Sequence, residues 1–509
     1  MSGKFWLTFL ICVFPGTPLL ADDLWIGKRV FWRDDAIAKI GNQVFDVTLI
    51  PYPATVEHVN GEWLWLERAW VRKKDVMDVI GAFSMANTRI SINYAPAEAL
   101  RIRAATWIAW GNYDKAYSDI QLAILHHPKD AFNYLYRGNL NFERKDYNKA
   151  ITDYDIAIGI NPDLSKAYRD RGFAKNMLQD YAGALRDLNE AIRLDSKDYL
   201  SYFNRGYVHD DMGNHDRAIK DFDNAIQLHP YYYLSFYNRG ISKQSKQELN
   251  AAIKDYDVAI RLNPKYAPAY NNRGQAKMLQ TDFHGAIQDF DASIQLEPSN
   301  ANIYIIRSYA FTQIKHYDEA IRDANKAIRI DPSLSLAFEY RAGSKLYIND
   351  YSGSIQDYCE VIKRDPKDSK ACYRLGIAYH CNRDYVSALN NFNKSINLDA
   401  NSVMPSACKS FLLATCPQPE FRDGPLALEL AESALKQANK DGYALNAKAC
   451  ALALLGKYDE AITCQELAKL DNDWRSDELP SGGKLAEERI AAWKSKKLWL
   501  SEPPARDKK

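Results

Sequence analysis

Seven prolines, Pro128, Pro162, Pro230, Pro264, Pro298, Pro332 and Pro366, fall on one lattice of 34-residue spacing, whose skipped positions hold Ser196 and, at the far end, Ala400. A fixed period of this length marks an array of small supersecondary units, each unable to bury its apolar face alone. Twelve residues before the lattice points stand Ala116, Ala150, Ala184, Ala218, Ala252, Ala286, Ala320, Ser354 and Ala388, and twenty-four before them Gly138, Gly172, Gly206, Gly240, Gly274 and Gly376. Small residues at two fixed places mark close helix crossings, because a larger side chain would hold the backbones apart. Aromatics fall between them, at Tyr113, Tyr147, Tyr181, Phe283, Tyr317, Tyr351 and Tyr385 and again at Tyr154, Phe222, Tyr256, Phe290, Tyr358 and Phe392. Each unit therefore reads as helix, turn, helix and proline stop, nine units in tandem over residues 97–402.

A charged pattern runs on the same lattice. Arg precedes the small position of the first helix at Arg103, Arg137, Arg171, Arg205, Arg239, Arg273, Arg307 and Arg341. Sixteen residues after each comes an acid: Asp119, Asp153, Asp187, Asp221, Asp255, Asp289, Asp323 and Asp357. In the ninth unit both are replaced together, by Leu375 and Asn391, as a direct contact between the two positions requires. The pattern predicts a structural ladder of Arg–Asp pairs, either within a unit or across to the next. Such pairs fix geometry more than they add net stability, since desolvation offsets much of the attraction.

These units resemble tetratricopeptide repeats (TPR), on the period and on the four residue classes at Ala167–Ser196 or Tyr233–Pro264. The resemblance implies a mainly α fold, a right-handed solenoid of paired antiparallel helices whose first helices line a concave groove. Residues expected to face that groove are Phe132, Leu135, Asn139, Arg169, Phe173, Phe203, Asn204, Tyr207, Tyr237, Asn238, Asn271, Asn272, Tyr309, Tyr340 and Tyr373. Amides spaced one repeat apart, at Asn204, Asn238 and Asn272, suit the backbone of an extended peptide, and the neighbouring rings supply apolar contact. The partner expected is a protein or peptide. The family's two-carboxylate clamp needs Lys and Asn on one helix, Asn on the next, then Lys and Arg on a third, and no three consecutive units carry that pattern.

Residues 403–473 read as a variant repeat pair with an irregular connection through Pro417 and Pro425. Residues 474–509 read as a charged capping helix carrying Ile490 and Trp493, followed by a mobile tail, as the exposed end of an array requires. Between residues 22 and 80 the apolar spacing switches toward alternation, and Asn60-Gly61 separates two such runs as a tight hairpin would. This segment resembles a small SH3-like β-barrel. Its aromatics Trp25, Trp32, Trp63, Trp65 and Trp70 are too many for so small a core, so some are expected to form a binding face, and a cell-envelope component is the alternative partner. Residues 81–96 read as a lead-in helix and linker.

Lys4, the apolar run Phe5–Phe14, Pro15-Gly16 and Ala21 have the layout of a secretory signal peptide over residues 1–21. Export to a periplasmic or extracellular space is therefore expected, with no membrane span after cleavage. Seven cysteines then remain, Cys359, Cys372, Cys381, Cys408, Cys416, Cys450 and Cys464, with neither CxxC pairs nor metal-ligand spacing. They read as small buried hydrophobes, with one or two disulfides open in an oxidising compartment.

The charge balance is even, 66 Lys+Arg against 65 Asp+Glu, which removes the usual electrostatic footprint of a nucleic-acid binder. The nine His stand at unrelated repeat positions, and no phosphate loop, nucleophile elbow or zinc-protease motif occurs. The expected function is that of a non-catalytic scaffold with no metal or cofactor. A regulatory subunit of an envelope enzyme is a further alternative.

Overall fold

The computed structural model describes side chains at residues 83–91, 96–108, 110–471 and 485–500, and backbone alone for 79–82 and for seven short strands before them. The expected signal peptide, Trp25 and the tail 501–509 lie outside the described residues. The chain divides into two compact units, 1–269 and 270–509.

In the first unit the strands are β1 (Arg29–Trp32), β2 (Ile37–Ile40), β3 (Gln43–Asp46), β4 (Ala54–Asn60), β5 (Trp63–Leu66), β6 (Ala69–Arg72) and β7 (Val76–Met77). They pair antiparallel in the order β3-β2-β6-β5-β4-β1-β7, with Asn60 opposite Trp63. These pairings do not show a closed SH3-like barrel, and the side chains of Trp32, Trp63, Trp65 and Trp70 lie outside the described set.

The helices of this unit are α1 (Val79–Ser91), α2 (Pro96–Ala109), α3 (Tyr113–His126), α4 (Ala131–Glu143), α5 (Tyr147–Ile160), α6 (Ser165–Met177), α7 (Tyr181–Leu194), α8 (Tyr199–Asp211), α9 (His215–Leu228), α10 (Tyr233–Ser245) and α11 (Leu249–Leu262). The division falls within α12 (Ala267–Leu279). The second unit continues with α13 (Phe283–Leu296), α14 (Ala301–Gln313), α15 (Tyr317–Ile330), α16 (Ser335–Tyr347), α17 (Tyr351–Arg364), α18 (Ser369–Cys381), α19 (Tyr385–Leu398), α20 (Val403–Thr415), α21 (Gly424–Gln437), α22 (Gly442–Leu454), α23 (Tyr458–Ala468) and α24 (Ala486–Lys494). The fold is mainly α and solenoid-like. Even-numbered first helices pack on the odd-numbered second helices that follow them, and α4, α6, α8 and α10 also touch in succession, as do α14 and α16.

The lattice residues explain this packing. A Cβ added at Gly138 would stand 2.5 Å from a ring carbon of Tyr154, and one at Gly376 would stand 2.6 Å from Phe392. The rings Tyr154, Phe222, Tyr256, Phe290, Tyr358 and Phe392 are each at most 1% exposed, so the small residue and the ring facing it form one contact repeated down the array. The turn between the two helices places one residue in the left-handed region, glycine at Gly111 and Gly213 but Lys145, Gln179, Gln247, Thr281, Lys315, Asn349 and Arg383 elsewhere. Asp180, Asp282 and Asp350 then cap the second helix by accepting from the backbone N–H three residues on.

All eight Arg–Asp pairs form within their own units. Nη2 meets Oδ1 at 2.5–2.7 Å and Nε completes a bidentate contact, as in Arg205–Asp221 and Arg239–Asp255. The Asp residues are buried, none more than 6% exposed. The bond to Asp221 raises the pKa of Arg205. The same guanidinium also reaches back, because Nη1 of Arg171 donates to Asp155 at 2.5 Å, of Arg205 to Asn189 at 2.7 Å and of Arg341 to Asn325 at 2.6 Å. Each such Arg therefore joins both helices of its unit to the second helix of the unit before. Its outer face lies against the ring three residues earlier, 5.3 Å for Arg341 over Phe338. Lys175, Lys243, Lys277 and Lys345 give the Asp a second cation at 2.7–2.9 Å, so the buried carboxylate is fully met. In the ninth unit Leu375 is buried and Asn391 turns its amide to the Ser387 carbonyl of its own helix.

At the C-terminal end a short 3-10 turn, Pro419–Phe421, fills the irregular connection before α21. Helix α24 buries Ile490 and Trp493. The seven cysteines are free thiols, with five buried, Cys464 half-buried and Cys359 exposed. Burial pushes the Cys450 thiol up to about 11.

Candidate binding face

The first helices present one row of side chains, and its members fare differently. In the first unit Phe132 is exposed, with the Arg101 guanidinium 5.9 Å from its ring centre and held by Asp130 and Asn133. A cavity of about 160 Å³ lies there, lined by Glu98, Arg101, Ile102, Phe132 and Tyr136. Phe173 stacks on Phe142 at 5.4 Å and meets Tyr207 edge-on at 6.2 Å, so three partly exposed rings run across α4, α6 and α8. Asn204 is half-buried and makes no hydrogen bond among the described residues. Tyr237 packs edge-on against Tyr266 at 5.0 Å.

Several expected groove residues serve the fold instead. Leu135 and Phe203 are buried, Leu135 in the core between its helices and Phe203 under Tyr232, whose ring lies 5.2 Å away. Arg169 is held by Asp170 at 2.8 Å and Asp198 at 3.2 Å; burial opposes its charge, and the two carboxylates more than restore it. Asn139 accepts the Tyr154 hydroxyl at 2.7 Å, and Asn238 donates to Leu234 O of its own helix at 2.8 Å. The three-amide series is thus split, with Asn238 spent locally.

In the second unit Asn271 and Asn272 are half-buried, and the side-chain oxygen of Asn271 is buried without a partner. Tyr309 and Tyr340 lie 5.5 Å apart on α14 and α16. Tyr373 carries the Arg374 guanidinium 5.9 Å from its ring centre.

Sequence reasoning missed Phe142, although its place seven residues after Leu135 puts it on the same helical face. It also missed the second partner of the ladder arginines, whose signal is an acid or amide sixteen residues before Arg at Gln121, Asp155, Asn189, Asp223, Asp291 and Asn325. Among the described residues no group of three His, Cys, Asp or Glu is placed to hold a metal ion, and no helix is long and apolar enough to cross a membrane. The arrangement offers rings, amides and charges for non-covalent contact.

Family models for tetratricopeptide repeats match residues 199–232, 242–281 and 271–335. No enzyme family is indicated. No curated protein matches the chain at a significant level. Among solved structures, yeast Tom70 is 18% identical, covering 79% of this chain and 96% of its own, with a TM-score of 0.37. YrrB, described as a TPR protein with an unusual peptide-binding site, is 19% identical over 36% of this chain and 93% of its own, with a TM-score of 0.30. The Pseudomonas aeruginosa protein pilF is 17% identical over 42% of this chain and 98% of its own, with a TM-score of 0.39. Residues 199–335 thus match tetratricopeptide repeat models almost throughout, and the same residue lattice and helix-pair contacts continue on either side of them.

Proposed function

We propose that this protein is a non-catalytic scaffold whose first-helix face binds an extended segment of a protein or peptide. The observation that carries the reading is the run of partly exposed rings Phe142, Phe173 and Tyr207, with the unspent amide of Asn204 beside it on α8. Rings supply apolar area at low entropic cost, and an amide can both donate to and accept from a partner backbone. A single face of this kind fixes a ligand without any reacting group.

The sequence of residues 1–80 supports a wider reading: export through the signal peptide, and a second contact from an SH3-like barrel bearing the five tryptophans. Two modest sites on one chain raise avidity without further chemistry. The same tryptophans favour a second reading, in which the N-terminal domain holds a cell-envelope glycan or peptide and the repeats act as a platform. To test the first reading, the full chain and its F173A/Y207A variant are used to capture proteins from an extract of the source cells. Retention of one defined protein, reduced at least tenfold in the variant, supports the face; equal retention removes it.

A further inference from the structure

The ninth repeat carries its arginine one residue early, and this shift moves the charge from the ladder to the binding face. Arg341 in the unit before is bonded to Asp357 at 2.5 Å and to Asn325. Arg374 follows Tyr373 on α18, where the ladder position holds Leu375 instead. It is half-buried, makes no ion pair among the described residues, and its Nε is buried without a hydrogen-bond partner. Glu339, on the preceding first helix, is claimed by Lys370 at 2.9 Å and acts on Arg374 through charge alone.

Beside Arg374 lies a second group without an acceptor. Three units place tyrosine at the ring position of the second helix, at Tyr154, Tyr256 and Tyr358. Tyr154 donates to Asn139 at 2.7 Å and Tyr256 to Gln244 at 2.8 Å, each an amide of its own unit. The place of Asn139 is taken in the eighth unit by Gly343 and that of Gln244 by Leu346, so the buried Tyr358 hydroxyl finds no acceptor, and the polar group that acts on it is the Arg374 guanidinium, which can only donate. A Cβ built on Gly343 would stand 3.7 Å from that hydroxyl and meet nothing else within 4 Å, so the glycine leaves a notch above the phenol. A guanidinium cannot accept a hydrogen bond, and the carboxylate whose charge acts on this one, Glu339, is already bonded to Lys370. A phenol proton with no acceptor beside a guanidinium with no bonded carboxylate fits a ligand that brings oxygens and a negative charge.

We propose that Arg374 and the Tyr358 hydroxyl, in the notch left by Gly343, bind a carboxylate of the partner segment. The proposal rests on the peptide-binding reading given above and adds the chemistry of one contact. Arg374 donates from its guanidinium to one or both carboxylate oxygens and Tyr358 donates its phenol proton. The carboxylate belongs to an acidic side chain or to a chain terminus.

The test uses the full chain and three pools of random octapeptides: amidated, free at the C-terminus but lacking Asp and Glu, and amidated without Asp and Glu. Peptides retained by the wild type, by R374M and by Y309A/Y340A are identified by mass spectrometry. The expected result is at least tenfold enrichment of carboxylate-bearing peptides by the wild type, lost in R374M. Enrichment in the first pool assigns the site to acidic side chains, and in the second to a chain terminus. Enrichment unchanged in R374M, or no preference for carboxylates, overturns the proposal; if Y309A/Y340A then still abolishes retention, the binding face itself stands. Failure of the wild type to retain any pool contradicts both. R374M should also melt at or above the wild-type temperature, because it removes an unpaired charge; a fall like that of a ladder arginine would show that Arg374 serves the fold and not a ligand.

Discussion

Arg341 and Arg374 stand on successive first helices, one residue short of a full repeat apart, and the difference separates architecture from binding. Arg341 is met by Asp357, Asn325 and the Phe338 ring, whereas Arg374 is met by rings and a phenol but no carboxylate. The laddered units spend their buried charge on holding helices together. The ninth unit holds its helices with Leu375 and leaves its charge unspent.

The largest effect expected from breaking the ladder is on stability. Arg239→Leu leaves the buried Asp255 carboxylate without its bidentate partner and should cost about 3–5 kcal/mol, read as a lowered denaturation midpoint. The double variant R239L/D255N, which copies the ninth unit, should recover much of that loss, and additive losses would show that the two residues do not act as a pair. The reverse transplant sharpens the point. L375R alone buries a charge opposite Asn391 and should destabilise, while L375R/N391D should restore the midpoint toward wild type.

A buried imidazole gives the next effect. His380 in the ninth unit is held by burial at a pKa of about 4, against an ordinary 6.5. The unfolded chain therefore takes up a proton that the folded chain refuses, so its contribution to stability is present above pH 6.5 and falls away down to about pH 4. The loss amounts to roughly 2–4 kcal/mol. H380Q should flatten the dependence of the midpoint on pH over that window; an unchanged slope would contradict a buried neutral imidazole.

The smallest effect concerns a feature that laddered and unladdered units share. Thr281 sits in the left-handed turn at φ 63° where Gly213 occupies the matching place in another unit. T281G should raise the midpoint by the equivalent of about 1 kcal/mol, since a β-branched residue is strained there.

The lattice made the helix pairs and the ladder legible, because a period repeated nine times fixes the register of every contact that depends on it. The second partner of each ladder arginine was harder to see, since Asn, Gln and Asp alternate at that place. Leu135 and Phe203 were expected on the binding face because residues two before the ladder arginine lie at its edge, where the neighbouring loop decides burial. Tyr232 packs over Phe203 and closes it off. The meaning of Arg374 was hidden for the opposite reason: it stands off the lattice by one residue, so only the missing acceptors around it in space mark it out.

The central claim is that ligands meet the first-helix face. A photo-crosslinking residue placed at Tyr309 on α14, compared with one at the exposed Lys326 on the second helix α15 of the same repeat, tests it most directly in the full chain. One defined partner crosslinked at 309 and not at 326 is the predicted result, and crosslinking at 326 alone or equally at both would contradict it.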